Sequence, residues 1–261
     1  MQLGFPMRTL WLVVCASAGC SFGAPDDDVL GPDASADPVT DPPPVVPRAI
    51  CDREDASLRL CVDFREPIAD RSSRAAPIDA TAVSPMDRDG DPAAELTDSS
   101  TMHIGEALAL DIQDRLTLDM WIRPTGTPAS GEKYWILDNN QQYAASFTDL
   151  RKARCVIGSR FVDSDPLPDD GQFHHVACTY DRTKLKVFVD GALSRCEDVT
   201  DAISSTGVSG LAIGANLSGT DAAPVFREPF VGGIDDVRVW ARTDLDICAM
   251  AHQTDCNTTC P

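Results

Sequence analysis

Beyond residue 50 the apolar positions recur with a period of two. Leu58, Leu60, Val62 and Phe64 are separated by single residues, and so are Leu116, Leu118, Met120 and Ile122. Successive side chains of an extended chain point to opposite faces, so this spacing predicts strands with one buried face. Further strands are expected at 155–161, 174–180, 184–189, 192–196, 208–214 and 234–241, separated by Gly, Asp, Asn and Pro. Lys184 to Val189 run into Asp190-Gly191, a pair that readily takes the positive φ angles of a type I′ hairpin turn. Many short antiparallel strands without an amphipathic helix predict an all-β fold, an antiparallel β-sandwich.

The first 48 residues follow another pattern. A short segment ending at Arg8 precedes the apolar run Leu10 to Val14 and the small residues Ala16 to Gly19. That run is too short to span a bilayer, which takes about 20 apolar residues, and it reads as a signal peptide. Ser17-Ala18-Gly19-Cys20 resembles the bacterial lipobox, which implies cleavage before Cys20 and lipidation of its thiol. Cys15 is the poorer candidate because Val14 before it is bulky. An ordinary secretory signal is the alternative, and either route carries the chain out of the cytoplasm. By the same resemblance, Ser21 in place of Asp points to the outer membrane of the cell envelope, with the lipid as the only membrane attachment. Asp26-Asp27-Asp28, Asp33, Asp37, Asp41 and Pro42-Pro43-Pro44 then make an extended, disordered tether. The expected organisation is a signal peptide over 1–19, a tether over 20–48 and one folded domain over 49–261.

Length and charge narrow the picture. The chain has 261 residues, 43% of them hydrophobic, which suits one sizeable core. With 41 acidic against 22 basic residues, its formal charge of −19 repels phosphate backbones, so nucleic acid is not an expected partner. Ten cysteines without a C-x-x-C pair fit an oxidising compartment. Setting aside Cys15 and Cys20 leaves Cys51, Cys61, Cys155, Cys178, Cys196, Cys248, Cys256 and Cys260 for disulfides, an even number with many possible connectivities. A Cys178–Cys196 bridge across the Asp190-Gly191 hairpin is one expectation, and a link from Cys51 or Cys61 to the C-terminal cysteines is another.

Three segments carry a family resemblance: Leu116 to Pro124, Phe173 to Asp181 running into Val187 to Gly191, and Phe230 to Trp240. Their order resembles the laminin-G-like domains with the concanavalin-type jelly-roll fold found in bacterial surface proteins. The resemblance implies a jelly-roll sandwich that binds rather than catalyses, with a glycan or a surface protein as partner; the alternatives are a structural envelope protein that contacts a partner protein through its sheet face and, ranked last, a glycoside hydrolase with an atypical site. It also implies a structural Ca²⁺ near the last strand, held by a carboxylate and backbone carbonyls. Asp235 is the first candidate ligand, with Asp63 brought near it because the first and last strands are neighbours in this architecture. Asp235 shares strand parity with Val237 and Val239 and therefore points inward unless a bulge intervenes. The alternative is a carboxylate that accepts backbone N–H bonds in a turn after Gly232-Gly233.

For ligand binding, Tyr134, Trp135 and Tyr143 flank the loop Asp138-Asn139-Asn140-Gln141-Gln142, rich in amide and carboxylate groups, with Asn139 and Asn140 as the candidate polar contacts. Aromatics beside planar amides suit sugar recognition, through ring stacking and paired hydrogen bonds. The competing reading is an aromatic pair that a sandwich strand needs for packing. His174 and His175 lie on opposite faces of a strand and cannot easily share an ion, so one is expected at the surface and one near the core edge. Trp121 and Trp240 are read as core. Asp87-Arg88-Asp89-Gly90-Asp91 lacks the glycine position of an EF-hand loop and reads as a surface loop. No E-x-D-x-E strand, Gly-x-Ser-x-Gly or H-E-x-x-H motif occurs, so the chain is not expected to be an enzyme. Asn216-Leu217-Ser218 and Asn257-Thr258-Thr259 match glycosylation acceptors, coincidences in a lipoprotein. Cys20→Ala is expected to move the full chain from the membrane fraction to the soluble fraction and to abolish fatty-acid labelling, measured by fractionation with an alkyne lipid probe.

Overall fold

The computed structural model describes residues 51–140, 142–204 and 209–260, so Cys20, the signal peptide and the tether lie outside the described residues. In chain order the strands are β1 (Leu58–Val62), β2 (Ile78–Thr81), β3 (Ser84–Arg88), β4 (Asp91–Leu96), β5 (Thr101–Ile104) and β6 (Leu116–Pro124). They continue with β7 (Lys133–Asn139), β8 (Tyr143–Thr148), β9 (Lys152–Ile157), β10 (Arg160–Pro166), β11 (His174–Tyr180) and β12 (Lys184–Val189). The last are β13 (Ala192–Asp198), β14 (Leu211–Ile213), β15 (Asn216–Thr220), β16 (Ala223–Arg227) and β17 (Gly232–Trp240), followed by the helical turn α1 (Ile247–Met250).

One sheet has the order β13-β12-β11-β6-β17-β4-β3, and β1 also pairs with β17. Gly232 to Ile234 pair with β4 on that edge of β17, and Val237 to Trp240 pair with β1. The second sheet runs β10-β9-β8-β7-β14-β5-β2, and β15 and β16 form a separate hairpin. Between the sheets, Leu118, Met120 and Ile122 of β6 and Val237 and Val239 of β17 join Leu137, Phe147 and Ile213 in one buried cluster. This is the expected antiparallel sandwich. Each fully buried Leu, Ile or Phe contributes about 1.5–3 kcal/mol, so the core is the main source of stability.

The structure divides the single strand expected at 155–161 into β9 and β10. Gly158, with φ +54°, makes the turn between them. The segment read as a surface loop at 87–91 is the tip of the β3–β4 hairpin. Asp89 and Gly90 have φ angles of 56° and 92° and form its turn. Asp190 and Gly191 make the expected turn between β12 and β13, with φ angles of 49° and 82°.

Central strands of the eight-stranded sheet are buried on both faces, because the C-terminal segment covers the outer one. Ile247 packs on Ala177 and Phe188, and His252 meets Trp121 edge-on with ring centroids 5.3 Å apart. A Cβ on Gly191 would come within 2.9 Å of Cys256 Sγ, so the tail's closeness also excludes other residues at this turn. Trp240 packs on this outer side with Leu58 and Cys61, and Trp121 lies half-buried beside Arg88. Both tryptophans were read as core; Trp240 is buried in a cluster outside the inter-sheet one, whereas Trp121 is half-buried. Register assigns them to the opposite face, since Trp240 pairs with Thr117 and Trp121 with His175, out of step with Leu118 and Met120.

That outer face carries charge. The β17–β6 register shifts between Asp235 and Arg238, and Asp236 takes a φ of 49° at the irregularity. The bulge breaks the parity expected for Asp235. Val237 and Val239 face the core, whereas Asp235 points outward with Arg238. Arg88 Nε donates to Asp235 Oδ2 at 2.7 Å and Arg88 Nη2 to Asp236 Oδ2 at 2.8 Å. Arg238 and His175 both bind the fully buried Asp119. Burial pushes the carboxyls of Asp235 and Asp236 upward against the pull of the arginines. At Asp119 burial acts the same way, but Arg238 and His175 outweigh it and hold the carboxyl below its ordinary range. His174 is also buried, not at the surface, held by Asp190 at 2.9 Å and Asp170 at 3.2 Å.

The disulfides are Cys51–Cys61, Cys155–Cys178, Cys196–Cys260 and Cys248–Cys256. The expected Cys178–Cys196 bridge does not form. Cys178 pairs across to Val187 and Cys196 to Lys186, so a whole strand separates them and they face opposite sides of the sheet. Nor does Cys51 or Cys61 reach the C-terminal cysteines, because Cys51 and Cys61 pair with each other. Cys155–Cys178 instead joins β9 of one sheet to β11 of the other through the core. The double variant Cys155→Ala/Cys178→Ala is expected to lose about 2–4 kcal/mol, a fall in Tm of roughly 5–15 °C by scanning calorimetry.

Candidate functional site

The outer face of the seven-stranded sheet has a different character. His103, Ala212, Asp138, Ala144 and Val156 align from strand to strand across β5, β14, β7, β8 and β9. Their neighbours Leu137, Ala145, Cys155 and Ile213 belong to the core, so this row points away from it. The β15–β16 hairpin lies over the row. Leu217 N donates to Asp138 Oδ2 at 2.8 Å, Phe226 packs edge-on to His103, and Asp221 at the hairpin tip accepts from Glu106 N at 2.9 Å.

Between hairpin and sheet is a cavity of about 270 Å³. Ala144, Val156 and Leu217 give it apolar surface, and Trp135, Asp138, Asn140, Asn216 and Ser218 give it an aromatic ring and polar groups. The indole of Trp135 is fixed at its edge, where Nε1 donates to Glu228 Oε2 at 2.6 Å. The Lys133 ammonium lies 5.0 Å from the ring centroid. Asn140 Nδ2 donates to Ser209 Oγ at 2.6 Å. Asp138 is the carboxylate among the described residues lining the cavity. Burial pushes its carboxyl up to about 6, Leu217 N–H pulls it down, and the charge of Glu228 adds to the rise.

Of the residues singled out in the sequence, Trp135, Asn140 and Tyr143 meet at this cavity, with Asp138 and Gln142 of the same polar loop. Tyr143 contributes little polar chemistry, since it is buried and its hydroxyl donates to Leu110 O at 2.9 Å. Asn139 Nδ2 is consumed by Leu110 O and Gln142 Oε1, and Tyr134 packs against the inter-sheet core. Asn216, Leu217 and Ser218 went unrecognised as pocket residues because they lie far along the chain from Asp138, and their N-x-S pattern points to glycosylation and not to a pocket. Asp138 stands in the sequence as the carboxylate of the polar loop beside the aromatics, but its burial depends on the hairpin that covers it.

The two carboxylates considered for calcium serve different arginines. Asp63 pairs with Arg71 at 3.2 Å and Arg65 at 3.5 Å, and Asp235 with Arg88. Among the described residues no group of three or more His, Cys, Asp or Glu is arranged to hold a metal ion. Nor is any described helix long and apolar enough to cross a membrane.

Residues 91–245 match the family described as the concanavalin A-like lectin/glucanases superfamily, and the chain belongs to it. No curated protein matches. Among solved structures, the binding domain of Paraclostridial Mosquitocidal Protein 1 is similar, with a TM-score of 0.60 and 14% identity over 75% of this chain and 51% of that one. The chain is also similar to a botulinum neurotoxin type C structure described by cell entry dependent on two ganglioside molecules, with a TM-score of 0.57 and 13% identity over 75% and 51%. A third is domain 4 of AbnA, a GH43 extracellular arabinanase from Geobacillus stearothermophilus in complex with arabinotriose, with a TM-score of 0.56 and 18% identity over 75% and 98%. The chain spans about half the length of the toxin chains it matches. At these identities the likeness is one of fold.

Asp138 ties the pocket to stability. Its folded carboxyl holds a proton more tightly than the unfolded one, so ionisation costs stability. The cost is absent below the unfolded value near pH 4, grows between pH 4 and 6, and is complete above pH 6. Its full size is on the order of 2–3 kcal/mol. Asp138→Asn is expected to flatten this part of the stability profile, measured by urea unfolding from pH 4 to 7.

Proposed function

We propose that the domain is a non-catalytic glycan-binding module, held at the cell envelope through lipidated Cys20 and binding a sugar in the cavity beside Trp135. The carrying observation is the meeting of an oriented indole, amide and hydroxyl groups and a buried carboxylate in one cavity. A sugar ring offers C–H faces to an aromatic ring and hydroxyls to such polar groups. The arabinanase domain similar to this chain was solved with arabinotriose, and the neurotoxin structure is described by its gangliosides, which agrees with a carbohydrate ligand on this fold. The binding reading also fits a sequence without a recognised catalytic motif.

A glycan array followed by titration calorimetry tests it. Trp135→Ala is expected to weaken the best ligand by about tenfold or more while leaving the Tm within a few degrees. An array without any bound glycan, or a ligand indifferent to Trp135→Ala, overturns the assignment to this pocket.

A further inference from the structure

The charge around the cavity does not balance. Asp138 is buried, and among the described residues its side chain receives one hydrogen bond, from Leu217 N to Oδ2. The groups acting on its charge are the Leu217 N–H and Glu228, itself a carboxylate, with no cation among them. Elsewhere guanidinium groups meet the buried carboxylates of Asp119, Asp235 and Asp236, and four hydrogen bonds satisfy that of Asp70, whereas Asp138 has neither a cation nor such a set of donors. A buried carboxylate without a cation is costly, and a bound cation removes the cost. The wall beside it is also suited to a cation. The Trp135 ring already draws the Lys133 ammonium to 5.0 Å, and its indole N–H holds Glu228 at the cavity's margin. The cavity's apolar surface calls for an organic ligand that carries the charge on a ring of its own.

Resting on the glycan-binding reading, the geometry points to an amino-bearing sugar as ligand, its ammonium paired with Asp138 and its ring against Trp135. Neutral sugars of the same size leave the carboxylate unpaired, and uronates add a third negative charge beside Asp138 and Glu228.

The test compares three oligosaccharides of equal length on the full chain at neutral pH: a β-linked glucosamine oligomer with free amines, its N-acetylated counterpart, and a uronate oligomer. The free-amine oligomer is expected to bind about tenfold or more tightly than the acetylated one, with the uronate weakest. Asp138→Asn, whose side-chain oxygen can still accept from Leu217 N, is expected to level the first two. Glu228→Gln, which retains an acceptor for the indole, is expected to lessen the preference and serves as a second variant should the first fail to fold. Equal binding of amine and acetylated oligomers, both lost in Trp135→Ala, overturns this inference and leaves sugar binding standing. A preference that vanishes in high salt or survives Asp138→Asn also overturns it, since it then reflects the chain's overall charge of −19. No binding of any of the three overturns this inference, while the glycan-binding reading falls only if the array shows no bound glycan at all.

Discussion

Asp119 has no access to water and sits on the middle strand of the eight-stranded sheet, so its charge must be met within the protein. Arg238 from β17 and His175 from β11 meet it, each from a strand directly bonded to β6. The same need repeats one step along, where Arg88 reaches from β3 to Asp235 and Asp236. Removing one member of such a pair typically costs about 3–5 kcal/mol, because the partner's charge is left buried. The network therefore ties together the registers of strands distant in sequence, and the bulge at Asp236 is the backbone adjustment that aims Asp235 and Arg238 at the same face.

Sealing this charged face is the task of the C-terminal segment. Cys196–Cys260 fastens the segment to the edge strand β13, and Cys248–Cys256 closes the loop that packs on Gly191. Cys155–Cys178 fixes the two sheets to each other through the core. One outer face of the sandwich is thus given over to structure. The other is covered by the β15–β16 hairpin, which leaves a cavity between itself and the sheet.

The fold was legible wherever a strand alternates cleanly. Leu58 to Val62, Leu116 to Ile122 and Lys184 to Val189 each carry their inner face in the pattern, and Asp190-Gly191 carries its turn. Strands such as β3, with Pro85 and no apolar run, and β8, buried throughout, do not alternate and gave no such signal. At the pocket, Trp135 and Asn140 drew notice because aromatics beside amides have a chemistry of their own. Asn216 and Ser218 drew notice only as a glycosylation pattern, because they become neighbours of Asp138 only when β15 folds back over the sheet.

By itself the sequence determined the alternation of strands, and from it an antiparallel sandwich, because side-chain period is a local property of an extended backbone, while three of its segments pointed by resemblance to the concanavalin type. It also determined the acidic charge and the supply of cysteines. Tertiary structure alone decided which cysteines pair, which face Asp235 and the tryptophans occupy, and that Asp138 is buried without a cation. Each of these depends on register, on one bulged residue or on a contact between distant segments, and a shift of one position reverses every face without changing the composition.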